Sequence, residues 1–260
     1  MTHGDVTPIG LAASLTAVAV AVALSVALGL RLHRDILTAS VRAIAQLLIV
    51  GLALRIVVDP HQPLAWSWLW VVLMTGYAGF VVRRRAPEAP GVLPLALAAF
   101  ATSGVVTLGI IFGLGIFPLE GRAVVPLAGM MIGNSMTSAV VTARRIVETL
   151  RDQREEVEVR LALGQSASAA ARPYLAASLR TAMTPQIETT RSVGLVFLPG
   201  AMTGLILAGV EPVDAVLVQA AVMFLILGAV ATTSTVIGLG LARRLFTRDH
   251  RLVALPRPAQ

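Results

Sequence analysis

Seven long and mostly apolar runs, six of them free of charged residues, dominate this chain of 260 residues. A helix needs about 20 mostly apolar residues to cross about 30 Å of hydrocarbon. Runs that meet this length lie in residues 6–30, 36–58, 64–82, 89–119, 123–143, 192–210 and 215–242. With 56% hydrophobic and 13% charged residues, the chain has too little polar surface for water. The sequence therefore predicts an all-α, polytopic membrane protein with about seven transmembrane helices in a single domain, residues 1–260.

Arginine placement indicates how these helices are oriented. All 21 basic residues are arginine, and positively charged segments stay on the cytoplasmic side of a membrane. If the N-terminus is outside, 19 arginines fall in inner segments, and only Arg55 and Arg122 fall outside. Asp5 is the only charged side chain before the first run, which favours a true span over a cleavable signal peptide. We expect an N-out, C-in topology in the lipid of the inner (plasma) membrane.

The longest polar segment, residues 144–191, falls on the predicted cytoplasmic side. Its first part has helical spacing of apolar residues and i,i+4 charge pairs such as Arg154 with Glu158. Because no helix breaker separates it from the fifth run, residues 123–163 would form a rod about 60 Å long. Gly164 is placed to end that rod, and a short second helix would end at Pro185. This pattern predicts a long fifth helix that leads into a cytoplasmic loop.

Missing residue types exclude several function classes. The chain has no cysteine, which excludes disulfides and thiolate metal sites, and no lysine, which excludes a Walker-A ATP site. Two tyrosines and three tryptophans offer few platforms for stacking bases, so nucleic acid is not an expected partner. No metal cage is predicted and the metal ligands stay unknown, because the histidines are scattered: His3, His33, His61 and His250.

Polar side chains inside the apolar runs are candidates for a substrate path, because such groups are costly in a membrane unless they face protein or water. In the fifth run these are Asn134 and Ser135, which lie between Met130 and Met136. Hydrogen bonds between helices explain the polar pair equally well, and methionines in apolar runs usually only pack. A substrate path and simple packing are therefore both open for this run.

The sixth and second runs supply further candidates. Pro199 removes a backbone hydrogen bond, so we expect a broken helix there that lines a cavity with Met202 and Thr203. Arg42 and Gln46 lie one helical turn apart on one face of the second run. We expect Arg42 to reach the cytoplasmic interface, with a gate as the alternative, and we include Gln46 in the candidate substrate path.

A short motif follows in the polar segment. Residues Glu158 to Gly164 read Glu-Val-Arg-Leu-Ala-Leu-Gly, an acidic residue followed six positions later by glycine. This pattern resembles the EAA loop of ABC importer permeases, in which the glutamate and glycine shape a coupling helix that docks on the ATPase subunit. An ordinary charged helix with a glycine cap is the alternative interpretation.

Two longer segments resemble one family. They are Met-Met-Ile-Gly-Asn-Ser-Met-Thr-Ser, which begins at Met130, and the glycine-rich residues 194–209. Both are similar to the signature segments of FetB-type ABC permeases, a family related to plant aluminium-tolerance half-transporters. Arg42-x-x-x-Gln46-Leu-Leu and the Leu245-Phe-Thr tail extend the resemblance over most of the chain.

The resemblance implies a separate cytoplasmic ATPase partner that binds ATP and magnesium, a permease homodimer, and a metal ion or metal complex as substrate, with iron export as the expected activity. This chain would then bind no cofactor and catalyse no reaction itself. The residues expected to couple it to the ATPase are Glu158, Gly164, Gln165, Arg172 and Pro173. A secondary transporter or channel is the alternative, although no acidic residue falls inside an apolar run. An intramembrane enzyme is disfavoured because no catalytic motif is present.

Overall fold

The computed structural model describes residues 8–57, 62–195, 198–247, 249 and 251–253, with side chains from residue 13 onward and, in the second helix, up to residue 54. Nine helices make up most of this part: α1 (Pro8–Ala27), α2 (His33–Val57), α3 (Leu64–Arg85), α4 (Val92–Gly113), α5 (Gly121–Asp152), α6 (Arg154–Ala162), α7 (Ala167–Ser192), α8 (Gly200–Leu207) and α9 (Pro212–Arg244). The all-α prediction is confirmed for the described residues. The predicted span ends at residues 6 and 58, together with His3, His61 and His250, lie outside them.

Four helices, α3, α4, α5 and α9, form the centre of the bundle. α9 packs along both α4 and α5, and α3 packs on the same two helices. Glycines let these helices approach closely, because a Cβ at Gly79 or Gly240 would collide with Leu97 or Leu95. In the described part, five helices are long and apolar enough to cross a membrane: α2, α3, α4, α5 and α9. They agree with the second, third, fourth, fifth and seventh predicted spans, while the total of seven and the orientation stay predictions.

α1 and α2 form a helical hairpin beside this bundle. They pack mainly on each other, and α2 meets the bundle through a few residues of α3. Ser25 at the end of α1 closes the hairpin, because its hydroxyl accepts a hydrogen bond of 3.0 Å from the backbone N–H of Leu32. Most apolar side chains of α2 up to residue 54 are exposed, and none of its membrane-length window is buried.

The fifth helix is shorter than the predicted rod. α5 ends at Asp152 and α6 begins at Arg154, so the continuous helix over residues 123–163 is wrong. Between them Gln153 has φ −103° and ψ 25°, outside the helical range, and the chain bends there. The bend buries Val157 completely in the hydrophobic core. Tertiary packing of Val157 thus accounts for a bend that no glycine or proline marks in the sequence.

The following helix is longer than predicted. α7 continues for 26 residues to Ser192, so the short helix ending at Pro185 is wrong. Both Pro173 and Pro185 lie inside α7, although each removes a backbone hydrogen bond. Contacts with α5 and α9 along α7 compensate for that loss.

The sixth predicted span, residues 192–210, is not one helix. Residues 193–195 and 198–199 are not helical, and α8 covers only eight residues, or about 12 Å. Pro199 is the N-cap of α8. The interruption predicted at Pro199 is therefore confirmed, whereas a single membrane-crossing helix over this segment is wrong.

α7 runs antiparallel to α9 over a length close to the thickness of a membrane. Near its start, Arg172 lines a cleft together with Arg243, and near its end Thr190 lines a cavity together with Gln219. In α9 these two contacts are 24 residues apart, from 219 to 243, which corresponds to about 36 Å. The segment 144–191, predicted to be cytoplasmic, therefore includes a helix that packs along the apolar helix α9 for much of its length.

Candidate functional site

The predicted coupling segment is built from α6, a glycine turn and the start of α7. Gly164 has φ +86°, a left-handed conformation that glycine adopts without strain. Its N–H donates to the carbonyl of Leu161, and the N–H of Gln165 donates to the carbonyl of Arg160, as in a Schellman motif. Ser166 then caps α7, because its hydroxyl accepts a hydrogen bond from the N–H of Ala169. The turn predicted at Gly164 is present, and it presents Gln165 to solvent.

Glu158 forms the predicted pair with Arg154, and a contact that the sequence did not predict extends this pair. The carboxylate of Glu158 lies 2.7 Å from the guanidinium of Arg154. The same guanidinium donates to the backbone carbonyls of Leu252 and Val253, at 3.3 and 3.4 Å. Phe246 and Leu252 pair through an isolated antiparallel bridge, which we call the C-terminal hairpin, and both side chains are buried. Arg154 therefore connects the predicted coupling glutamate to the C-terminal segment, and a cleft of about 320 Å³ lies between them.

A second contact fixes α6 against α7. Arg160 donates to the carboxylate of Glu156 at 2.7 Å, and its guanidinium carbon lies 5.8 Å from the ring centroid of Tyr174. The hydrogen bond from Arg160 lowers the pKa of Glu156, so this carboxylate is ionised at neutral pH. Together these contacts hold α6 at a fixed angle to the helix that follows it.

The two remaining coupling candidates lie on the first turns of α7. Arg172 and Pro173 are both exposed. Arg172 lines a cleft of about 590 Å³ between α7 and the end of α9, where Arg243, Phe246 and Thr247 are also found. All five predicted coupling residues therefore lie on α6, the Gly164 turn or the start of α7, and the C-terminal hairpin lies next to them.

The candidates in α5 point in different directions. Ser135 is fully buried, and its hydroxyl has no hydrogen-bond partner among the described residues. Met130 and Met136 are half-buried and pack against the hydrophobic core, which agrees with the packing interpretation. Asn134 is exposed, and its amide donates to the carbonyl of Met130, one turn earlier in the same helix. Among these residues, Asn134 is thus the one with a polar group on the free face of α5.

Met202 lies in a cavity, as the sequence predicted for the sixth run. The cavity has a volume of about 310 Å³ and lies between the end of α7, α8 and the first turns of α9. Thr203 points elsewhere, since its exposed hydroxyl donates to the carbonyl of Pro199 within α8. Gln219 lines the same cavity. Sequence reasoning missed this residue, although it is the one amide in the run 215–242.

Arg42 contacts the bundle, whereas Gln46 does not. The guanidinium of Arg42 donates to the hydroxyl of Tyr77 in α3 at 3.1 Å. This bond joins the α1–α2 hairpin to the bundle, which is a structural role. Gln46 lies exposed on α2, away from the residues of α5 and α8 with which it was grouped.

Charged residues on α7 were also missed. Arg180, Glu188 and Arg191 are exposed on α7. The guanidinium of Arg191 lies 2.8 Å from the carboxylate of Glu188. Sequence reasoning treated α7 as part of a polar segment and did not predict that it packs along α5 and α9. Among the described residues, no group of three or more His, Asp or Glu side chains is placed to hold a metal ion.

Comparison with known proteins gives near full-length matches. The sequence profile of an uncharacterised protein family, UPF0014, matches residues 8–246. The UPF0014 membrane protein STAR2 of rice is 36% identical over 231 residues, 89% of this chain and 80% of its own length. Protein ALUMINUM SENSITIVE 3 of Arabidopsis thaliana is 31% identical, over 93% of this chain and 88% of its own. The "Probable iron export permease protein FetB" of Escherichia coli is 30% identical over 97% of both chains. No solved structure matches this chain.

Proposed function

Because this chain belongs to the UPF0014 family of multi-pass inner-membrane proteins, we propose that it is the permease of an ABC transporter that exports iron. A separate cytoplasmic subunit binds and hydrolyses the ATP. The observation that carries the proposal is the match to the E. coli protein named as an iron export permease, which covers 97% of both chains.

The geometry of the coupling segment supports an ATPase partner. α6 is a nine-residue helix held by the Arg154–Glu158 and Arg160–Glu156 ion pairs and by the buried Val157. A helix held in this way moves as one piece with the end of α5. Force applied to α6 by a closing ATPase would therefore reach the residues of α5 inside the membrane. We assign the docking surface to α6, the Gly164 turn, Gln165, the first turns of α7 and the C-terminal hairpin.

We place the sixth crossing at α7, which keeps the total at seven with α1, α2, α3, α4, α5 and α9. In this topology the N-terminus is outside, and the end of α9 lies on the cytoplasmic side. Arg244 supports this placement, because it hydrogen-bonds to the carbonyl of Gly91 in the turn that follows Arg83–Arg85. Positive charge from three segments thus gathers at one end of the bundle. α8 is then a short helix near the outer end.

A homodimer of the permease would cover the free polar face of α5. Gly133, Asn134 and Thr137 are exposed there, in the middle of a helix long enough to cross the membrane. Polar groups at this depth face protein or a water-filled path. Two copies that meet along this face would enclose a central path lined by Asn134 and by the polar face of α7.

The test uses the purified permease together with its ATPase subunit in liposomes. Glu158→Lys should abolish co-purification of the ATPase, because it reverses a charge on the docking surface and releases Arg154. Glu120→Lys is the matched control, since Glu120 is as exposed as Glu158 and is also paired with an arginine, Arg122, but precedes α5 and lies outside the docking surface. Wild type should hydrolyse ATP and move iron, and Glu120→Lys should behave similarly. A permease that never associates with an ATPase would contradict the proposal.

A carrier without an ATPase is the second candidate, and Glu188 is the observation that favours it. Proton-driven carriers use acidic residues inside the membrane, and Glu188 lies on α7 at membrane depth. Its ion pair with Arg191 at 2.8 Å argues against this role, because the carboxylate is already engaged in a contact within the same helix. Iron movement driven by a pH gradient without ATP, and lost in Glu188→Gln, would establish the carrier instead.

A further inference from the structure

We propose that the cavity between the end of α7, α8 and the first turns of α9 is a substrate-binding pocket, and that it takes a neutral metal chelate, not a bare metal ion. This inference rests on the permease function proposed above and names the chemical class of its substrate. With a volume of about 310 Å³, the cavity falls in the range of small-molecule pockets.

Gln219 supplies the observation that points to a ligand. Its side chain is only 6% exposed, it lines the cavity, and its Oε1 atom has no hydrogen-bond partner among the described residues. A buried amide oxygen without a partner is costly, so an amide that serves only packing would be bonded to a neighbour. The oxygen itself is buried, so a ligand that carries an N–H or O–H group would satisfy it once the amide turns toward the cavity.

The other walls of the cavity are neutral. Besides Gln219 and Thr190, they consist of apolar and glycine residues: Val193, Gly194, Leu198, Met202, Val216, Ala220, Met223 and Phe224. A bare divalent or trivalent cation would lose its water shell here without meeting a carboxylate, which is strongly unfavourable. A chelate enters with its own oxygen ligands, has no net charge, and presents an apolar rim to these walls.

The position of the cavity suits a transport pathway. α8 follows its N-cap Pro199 and has no buried residue, and residues 193–195 and 198–199 before it are not helical. Irregular backbone in a membrane protein is tolerated where it lines a cavity. The pocket is therefore bounded on one side by α8, the element with the fewest packing constraints. An opening toward solvent on that side costs the least free energy.

Equilibrium binding to the purified permease alone tests the pocket. The probes are radioactive iron as the neutral tris(acetohydroxamate) complex, whose N–H groups match Gln219, and radioactive iron(II) without a chelator. Gln219→Leu removes the amide and Ala220→Phe fills the cavity. Thr203→Val and Ala208→Phe are matched controls, because both residues are exposed on or next to α8 and neither lines the cavity.

We expect the complex to bind to wild type and to both controls, and Gln219→Leu and Ala220→Phe to weaken binding at least about tenfold. Gln219→Leu should also raise the thermal stability of the empty permease, because it removes a buried oxygen without a partner. A residue with a purely structural role would lose stability instead.

Two outcomes would overturn the pocket: binding of the complex that neither variant changes, or binding of iron(II) alone. The permease function is judged separately, in liposomes with the ATPase subunit. If both variants export unchelated iron normally with ATP, the pocket proposal is wrong and the permease proposal is kept. If wild type does not couple to an ATPase, the permease proposal is wrong. Binding of the complex that depends on Gln219 would still support the pocket in that case.

Discussion

The α1–α2 hairpin and the central bundle are both made of apolar helices, yet only the helices of the bundle bury their faces in close packing. Half of the membrane-length window of α5 is buried, and none of that of α2 is. The difference lies in the glycines. A Cβ at Gly238 of α9 would meet Leu175, Leu179 and Ile146, whereas a Cβ at Gly51 of α2 would meet nothing within 4 Å.

The comparison teaches what apolar composition does and does not specify in a membrane protein. Lipid tails are as apolar as leucine, so hydrophobicity places a helix in the bilayer without attaching it to a neighbour. Close packing of small residues and hydrogen bonds between helices supply the attachment. Ser138 of α5 illustrates the hydrogen bonds between helices, since its hydroxyl donates to the carbonyl of Ala182 and lies 2.8 Å from the hydroxyl of Ser234.

The largest expected loss of stability comes from placing a large side chain at a close contact between helices. In Gly238→Leu the new Cβ would lie 2.8 Å from Leu175 Cδ1 and 3.2 Å from Leu179 Cδ2. Overpacking of this kind costs about 2–3 kcal/mol. We therefore expect the free energy of unfolding in detergent to fall by about that amount.

Gly51→Leu is the matched control, because both changes replace a helical glycine and gain the same helix propensity. We expect Gly51→Leu to leave the unfolding free energy unchanged or to raise it by about 0.5–1 kcal/mol. Equal losses in both variants would mean that the α1–α2 hairpin packs as tightly as the bundle, and the comparison would fail.

The hydrogen bonds of Ser138 should matter less than the glycine contact. Ser138→Ala removes both bonds and leaves Ser234 buried, so we expect a loss of about 1 kcal/mol, in the range measured for hydrogen bonds between membrane helices. Ser40→Ala in α2 is the control, because the Ser40 hydroxyl only bonds to the carbonyl of Ile36 in its own helix. Urea or SDS titrations of the two variants measure the difference, and a larger loss in Ser40→Ala would reverse the comparison.

Much of the fold could be predicted because apolar run length is a strong physical signal. The five apolar spans in the described residues were found in this way, and the turn was found from Gly164 itself. α7 was expected to be cytoplasmic because its arginines and threonines lower its hydropathy, and its packing along α5 and α9 was not predicted. A helix that packs on protein along one side does not need to be apolar throughout, so run length alone does not reveal such packing.

The site was less predictable than the fold. Glu158 and Met202 were identified from local motifs, but their partners come from distant parts of the chain. Arg154 contacts carbonyls nearly 100 residues away, and the Met202 cavity needs residues of α7 and α9. The bend at Gln153 also follows from tertiary packing. Such contacts leave no periodic trace in a single sequence.

The smallest effect on stability should come from the bond that joins the two regions. Tyr77→Phe removes the hydroxyl that accepts the hydrogen bond from Arg42, and both side chains are exposed. We expect the free energy of unfolding to change by less than about 0.5 kcal/mol, as for most surface substitutions. The position of the hairpin should respond more strongly, because few other contacts join α2 to α3.

The absence of cysteine makes that response measurable, because introduced thiols have no background. Spin labels at Leu47→Cys in α2 and Leu73→Cys in α3, both exposed, report the distance between the regions. Tyr77→Phe should broaden the distance distribution, whereas Trp66→Phe, another exposed aromatic of α3, should not. An unchanged distribution would show that α2 is attached by other means. A loss of stability as large as that of Gly238→Leu would show that the hairpin and the bundle unfold as one unit, because only then would a contact between them carry so much of the folding free energy.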